Sequence, residues 1–227
     1  MLYQLRHYYT TSSSDMAAVV GFMGERLIPA ATTMGFQHIG AFTTVYGPSP
    51  RLTMLFAFAD ANDRMAKFDA FDASDAWREI EPGLYPDGRP LIARYDTALL
   101  RPTPYSPDIM QSLNAETPGV FEERIYHGTS TRNHTKINAR FANHTTRIFP
   151  KHGLNAIGFW NVEVGENQPA LYYLVRYDAL GDRDAQWNGF RADPEWQRVV
   201  AESEKDGPIV RAIEANILAP TAYSPLH

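Results

Sequence analysis

Two kinds of hydrophobic pattern alternate along this chain, and each occurs in the same order twice. "LYQLRHYY" (2–9) is an aromatic-rich run of strand character. Apolar positions at Met16, Val20, Met23 and Leu27 then step by four, three and four, which is the spacing of one helix face. Two further strand runs follow, "HIGAFTTVYG" (38–47) and "RLTMLFAFAD" (51–60), separated by the turn "GPSP". A second helical region comes next, broken near Ser74. The final strand, "LIARYDTALLRP" (91–102), runs into the proline-punctuated "RPTPYSP" (101–107).

The second half repeats this series. Pro102, Thr103, Tyr105, Ser106 and Pro107 recur 118 positions on as Pro220, Thr221, Tyr223, Ser224 and Pro225. The same offset pairs Arg6 with Arg124, Tyr8 with Tyr126, Gly40 with Gly158 and Phe42 with Trp160. One residue is gained before the second helical region, where Arg64 pairs with Arg183, Phe68 with Trp187, and "FDASDAW" (71–77) with "FRADPEW" (190–196) at an offset of 119. A near-constant offset across half a chain marks an internal duplication. The helix stripe Ile137, Phe141, His144, Ile148 matches Met16, Val20, Met23, Leu27 only at 121, which implies a longer loop before the second copy's helix. In that helix-two region Asp193-Pro194-Glu195 supplies an N-cap acid, a proline at the first helical position and a first-turn acid. The prolines of the terminal motif cannot donate to a ladder and end each last strand, with Tyr105 and Tyr223 expected to fold back on their own sheet edge.

Each copy reads β-α-β-β-α-β, the ferredoxin-like order. The expected fold is α+β: two units, 1–107 and 120–227, joined by a surface linker at 108–119, each a four-stranded antiparallel sheet with helices on one face. The open faces of the two sheets cover each other in a barrel-like core.

Several stretches together resemble the NIPSNAP family of the dimeric α+β barrel superfamily. They are "LRHY" in the first strand, Gly-Phe-Trp in a middle strand, "ADPEW" on the second helix and the closing L-x-P-T-x-Y-S-P. The likeness is strong for copy two and looser for copy one, where "SDAW" stands for "DPEW". The resemblance implies tandem domains, sheets paired within or between chains, and a homo-oligomer. The wider superfamily includes cofactor-free monooxygenases, haem-binding enzymes and enzymes that degrade small ring compounds. A fold shared by all of these does not choose among them.

Composition narrows the classes. Charged residues are 21% of the 227, net charge is −5 and the pI is about 5.8, so neither nucleic acid nor an anionic membrane is an expected partner. Cysteine is absent, which removes thiol nucleophiles and thiolate metal ligands. There is no Gly-rich phosphate loop, nucleophile elbow or clustered metal-ligand motif. No signal pattern opens the sequence, and a cytoplasmic location is expected.

Period two places Gln4, Arg6 and Tyr8 on one face of the first strand and Glu122, Arg124 and Tyr126 on the matching face. That face is expected to look into the inter-sheet space. Arg6 or Arg124 would hold a carbonyl or anionic oxygen. Glu122, which replaces Gln4 and is not duplicated, would move a proton, and Tyr126 would orient the substrate. The bland counterpart is a structural ion pair of Arg124 with Glu122 or Glu214. Phe42 and Trp160, with Tyr8, would line the pocket or simply fill the core. His144, on the predicted sheet-facing stripe, is the candidate axial ligand for haem, although no second ligand stands three or four residues away. The reading is a small-molecule protein: an enzyme working without a cofactor on a small aromatic or carbonyl-bearing metabolite. The alternatives are a non-catalytic binding or assembly module with a filled barrel, and a haem protein.

Overall fold

Eight strands close into one barrel within a single chain. The structure is a computed structural model that describes residues 1–115, 117–166 and 168–227. Unit one contributes β1 (Leu2–Tyr9), β2 (Gln37–Tyr46), β3 (Arg51–Phe58) and β4 (Arg94–Pro102); unit two contributes β5 (Val120–Gly128), β6 (Asn155–Val164), β7 (Ala170–Tyr177) and β8 (Val210–Pro220). The order around the barrel is β1-β3-β2-β8-β5-β7-β6-β4, with every neighbour antiparallel. Each unit is therefore a ferredoxin-like sheet. The sheets join at two seams, where Phe42 faces Pro220 and Pro102 faces Trp160.

Helices cover the outside. In unit one α1 (Ser13–Phe22) runs through a π-helical turn (Met23–Leu27) into α2 (Ile28–Thr33), and α3 (Ala61–Asp72) is followed by α4 (Asp75–Ile80). In unit two α5 (Thr131–Arg140) runs through the π-helical turn Phe141–Thr145 into α6 (Thr146–Ile148), and α7 (Arg183–Ala192) is followed by α8 (Pro194–Ser203). The helix starts are capped, that at Asp193 as the sequence suggests. Ser12 and Ser130 accept from the backbone three residues on, and Ser74 and Asp193 cap α4 and α8. Ser12 and Ser130 lie 118 apart, so the loop before the second copy's helix is not longer. Each π-helical turn, wider than an α-turn, rotates the buried face by one position. With the caps 118 apart, Met23 matches Phe141, both fully buried, rather than His144.

The barrel interior is packed. Tyr3, Leu5, Phe42, Leu55, Phe121, Trp160, Tyr172 and Leu218 form one cluster inside it. In the expected surface linker, Ile109, on a short 3-10 turn, is buried in this cluster, with Met110 and Leu113 packed against it. At the level of His7 the interior turns polar. The buried Glu123 carboxylate accepts from Arg51 Nη2 at 2.8 Å, Asn216 Nδ2 at 2.9 Å and Tyr172 Oη at 3.2 Å, and His7 Nε2 lies 3.0 Å away.

These contacts reverse the expected strand faces. Tyr3, Leu5 and His7 look inward, whereas Gln4, Arg6 and Tyr8, like Glu122, Arg124 and Tyr126, look out beneath the helices. Both faces of β1 and β5 are covered, so neither shows the solvent alternation that would tell inside from outside.

The terminal motif also acts differently from expectation. Thr103 N–H donates to Phe159 O, and Ser106 Oγ accepts from Phe159 N–H, so the end of unit one clasps unit two. Reciprocally, Thr221 N–H donates to Ala41 O and Ser224 Oγ accepts from Ala41 N–H. Tyr105 packs with the unit-two helices and donates to Asn138 Oδ1, and Tyr223 packs with the unit-one helices. The rings tuck onto the other unit's sheet rather than their own.

Candidate functional site

The duplication makes each unit a reference for the other, and the two differ most beneath their helices. In unit two the space over β5 is full. Glu122 has no solvent exposure, and both its oxygens are taken. Arg124 Nη1 donates to Oε1 at 2.6 Å, Arg183 donates through Nη2 to Oε1 at 2.8 Å and through Nε to Oε2 at 3.0 Å, and Tyr177 Oη and Trp187 Nε1 donate to Oε2 at 2.5 and 3.0 Å. Arg124 also donates to Tyr173 Oη, and its guanidinium lies 4.1 Å from the centre of a Trp187 ring. Burial alone would raise the Glu122 pKa; the hydrogen bonds from Arg183, with Arg124 beside it, overcome this and hold it below the usual carboxylate value.

Unit one carries the same frame with smaller or neutral parts. Gln4 stands for Glu122, Phe68 for Trp187, and Phe58 and Met54 for Tyr177 and Tyr173. Helix α4 stops where Pro82 leaves it without an N–H to donate, and the chain goes on in 3-10 turns; unit two has Ala201 there and its helix continues. The result is a cavity of about 470 Å³ between sheet and helices. Its walls are largely apolar: Phe56, Phe68, Phe71, Trp77, Leu84 and Ile92. Arg6, Tyr8 and Gln4 rise into it from β1, Tyr95 and Arg94 come from the β4 side, and the exposed Asp72 stands among the lining residues.

Arg6 is held without a carboxylate. Its Nε donates to Thr97 Oγ1 at 3.0 Å, and its guanidinium lies 4.8 Å from the Tyr95 ring centre and 5.3 Å from that of Phe68. Arg64 donates through Nε to Gln4 Oε1 at 2.7 Å and lies over Phe68. Among the described residues neither arginine has an acidic oxygen within 4.0 Å, whereas Arg94, also at the cavity, is paired with Asp96. Burial, then the charge of Arg6, lowers the Arg64 pKa. Arg6 therefore lines the cavity with a second cation, Arg64, bonded to the Gln4 side chain beside it.

The sequence-chosen residues divide between these places. Arg6 and Tyr8 line the cavity. Glu122, Arg124 and Tyr126 meet as expected, but beneath the unit-two helices and not between sheets, and the ion pair of Arg124 with Glu122 forms. Glu214 faces His127 instead. Phe42 and Trp160 are buried inside the barrel, against Phe121 and Tyr3, out of reach of a ligand in the cavity. His144, on the π-helical turn, is half-buried in a groove that it lines with Lys136, Asn143, Arg198 and Val199, and it does not line the unit-one cavity. His134 and His152 bond Asn161 and Asp193. Arg64, Phe68, Asp72 and Tyr95 were not picked as site residues. For Arg64 and Phe68 the signal was present, since both recur at offset 119 beside the unpaired Gln4/Glu122 difference.

The profile described as NIPSNAP matches residues 3–107 and 121–225. The chain belongs to the NIPSNAP family. It carries two NIPSNAP units, and no curated protein matches it. Among solved structures it is similar to a putative monooxygenase from Lactobacillus acidophilus, at 12% identity and a TM-score of 0.58 over 96% of this chain and 93% of that one. An anthrone oxidase-like protein aligns at 8% identity and a TM-score of 0.62 over 100% and 94%. A NIPSNAP-like domain protein from Burkholderia xenovorans aligns at 25% identity and a TM-score of 0.42 over 47% of this chain and 89% of that one. The first two likenesses establish the α+β barrel fold for tandem NIPSNAP units. No helix among the described residues is long and apolar enough to cross a membrane.

Proposed function

We propose that this NIPSNAP protein is a small-molecule enzyme whose pocket is the unit-one cavity, acting without a resident cofactor on a compact aromatic or carbonyl-bearing compound. The observation that carries the reading is an aromatic-walled cavity of about 470 Å³ with an arginine at its floor that has no acidic partner among the described residues. That volume lies in the ordinary range of small-molecule sites. Arg6 would hold a carbonyl or developing anionic oxygen, its charge strengthened by the apolar walls. Asp72 is the carboxylate at hand for a proton, and Tyr8 and Tyr95 would orient a flat ligand. Glu122 is not offered as the base, because five hydrogen bonds already occupy its oxygens. The solved structures named putative monooxygenase and anthrone oxidase-like agree in fold with such a role. Haem is not part of the reading, since His144 does not line this cavity.

A second reading has its own observation. The barrel interior is filled, as a non-catalytic module requires, so binding without turnover remains the alternative. The test is thermal stabilisation by 2-naphthaldehyde, followed by mass spectrometry of the mixture after incubation. Stabilisation lost in Phe68→Trp, which installs the unit-two residue and fills the cavity, and kept in Trp187→Phe, supports the pocket. New product supports the enzyme over the binding module. No stabilisation by this or related aromatic carbonyls would sink both.

A further inference from the structure

We infer that the unit-one cavity selects an aromatic carboxylate, and that Gln4 determines this selectivity by supplying a neutral amide where unit two has a carboxylate. The inference rests on the cavity being a ligand site, as proposed above, and adds the charge and class of the ligand.

The argument is a comparison at equivalent positions. In unit two one carboxylate lies between two guanidiniums: Glu122 Oε1 accepts from Arg124 at 2.6 Å and from Arg183 at 2.8 Å. Unit one keeps both cations, as Arg6 and Arg64, and replaces the anion by the neutral Gln4. The amide oxygen of Gln4 accepts from Arg64 at 2.7 Å, but an amide brings no charge. The Nη groups of Arg6 make no hydrogen bond among the described residues. Guanidinium stays charged at any ordinary pH, so Arg6 in the cavity lining and Arg64 on Gln4 beside it carry two positive charges where the unit-two counterpart is balanced to a single one.

Two features argue that the balancing anion comes from a ligand. A planar guanidinium fork matches a carboxylate in two parallel hydrogen bonds, which gives geometry as well as charge. The positive floor also opens onto aromatic walls that water solvates poorly, with Phe68, Phe71 and Trp77 around it. A carboxylate attached to an aromatic ring system satisfies both ends of the cavity together. Arg94 does not compete for the anion, because Asp96 already pairs with it. Asp72, the remaining acid of the lining, lies beyond ion-pair distance of both Arg6 and Arg64 and does not balance them.

The probes are 2-naphthoate and its neutral amide, 2-naphthamide, titrated by calorimetry at low ionic strength. The expected result is at least about tenfold tighter binding of the acid, equivalent to about 1.4 kcal/mol. In Gln4→Glu the new carboxylate takes the ligand's place, so naphthoate weakens to the level of the amide or below it while naphthamide binding stays. Arg6→Gln removes the preference from the other side and serves as the second variant should Gln4→Glu fold poorly; thermal melting checks both. If neither probe binds the native protein, the pocket reading itself fails. If both bind equally, the pocket stands and the carboxylate inference falls. A naphthoate preference that survives both substitutions would place the anion elsewhere and also overturn it.

Discussion

Replacing Glu122 by Gln should destabilise the protein far more than altering its equivalent, Gln4. The substitution keeps size and shape and removes one charge from a residue with no solvent exposure. It leaves Arg124, whose side chain is 11% exposed, without its anion, and weakens the hold on Arg183, which is 27% exposed. Breaking a buried ion pair from one side costs about 3–5 kcal/mol, because the remaining charge stays desolvated. Arg183 can turn partly to water and the new amide can still accept one bond, so the lower end, about 3 kcal/mol, is expected. For a chain of this length that lowers the midpoint of thermal unfolding by roughly 6–12 °C. Gln4→Met removes one hydrogen bond to a half-buried arginine and should cost only about 1 kcal/mol. Urea unfolding followed by tryptophan fluorescence reads both, and Trp187, hydrogen-bonded to Glu122, reports directly on the site. A loss below about 1 kcal/mol for Glu122→Gln, or equal losses for the two variants, would refute a buried charge balance in unit two and with it the contrast between the units.

Two further outcomes follow from particular contacts. Glu122 and Glu123 both have folded-state pKa values below the ordinary 4.5, offset against burial by Arg183 and Arg124 for the first and by His7 and Arg51 for the second. The stability they supply is present above the unfolded pKa and lost as pH falls, so urea midpoints should drop between about pH 5 and pH 3, less steeply in Glu122→Gln. Gly24→Ala puts a methyl group into the Tyr223 ring, closer than van der Waals contact allows, and should cost about 1–3 kcal/mol by urea unfolding. Gly21→Ala, with open space at that position, should be neutral or slightly stabilising.

The sequence by itself determined the duplication, the β-α-β-β-α-β order and the Asp193 helix cap. Each is written locally, in an offset, a hydrophobic period or an N-cap side chain followed by its own first turn. It also carried the observation on which the site depends, since Gln4 and Glu122 differ at otherwise matching positions. Tertiary structure alone decided which face of β1 and β5 looks into the barrel. Tyr3 and Gln4 are both buried, and a strand covered on both sides has no solvent face to break the tie. The π-helical turns likewise hid the register of α1 and α5, because a single wide turn shifts the buried face without altering the count of residues. The caps at Ser12 and Ser130, 118 apart, make Phe141 and not His144 the partner of Met23. The fate of each arginine was a tertiary matter too. Arg6 and Arg124 occupy the same place in the same motif. They differ because residues roughly sixty positions away, Phe68 in one unit and Trp187 in the other, leave a space over Arg6 and close it over Arg124.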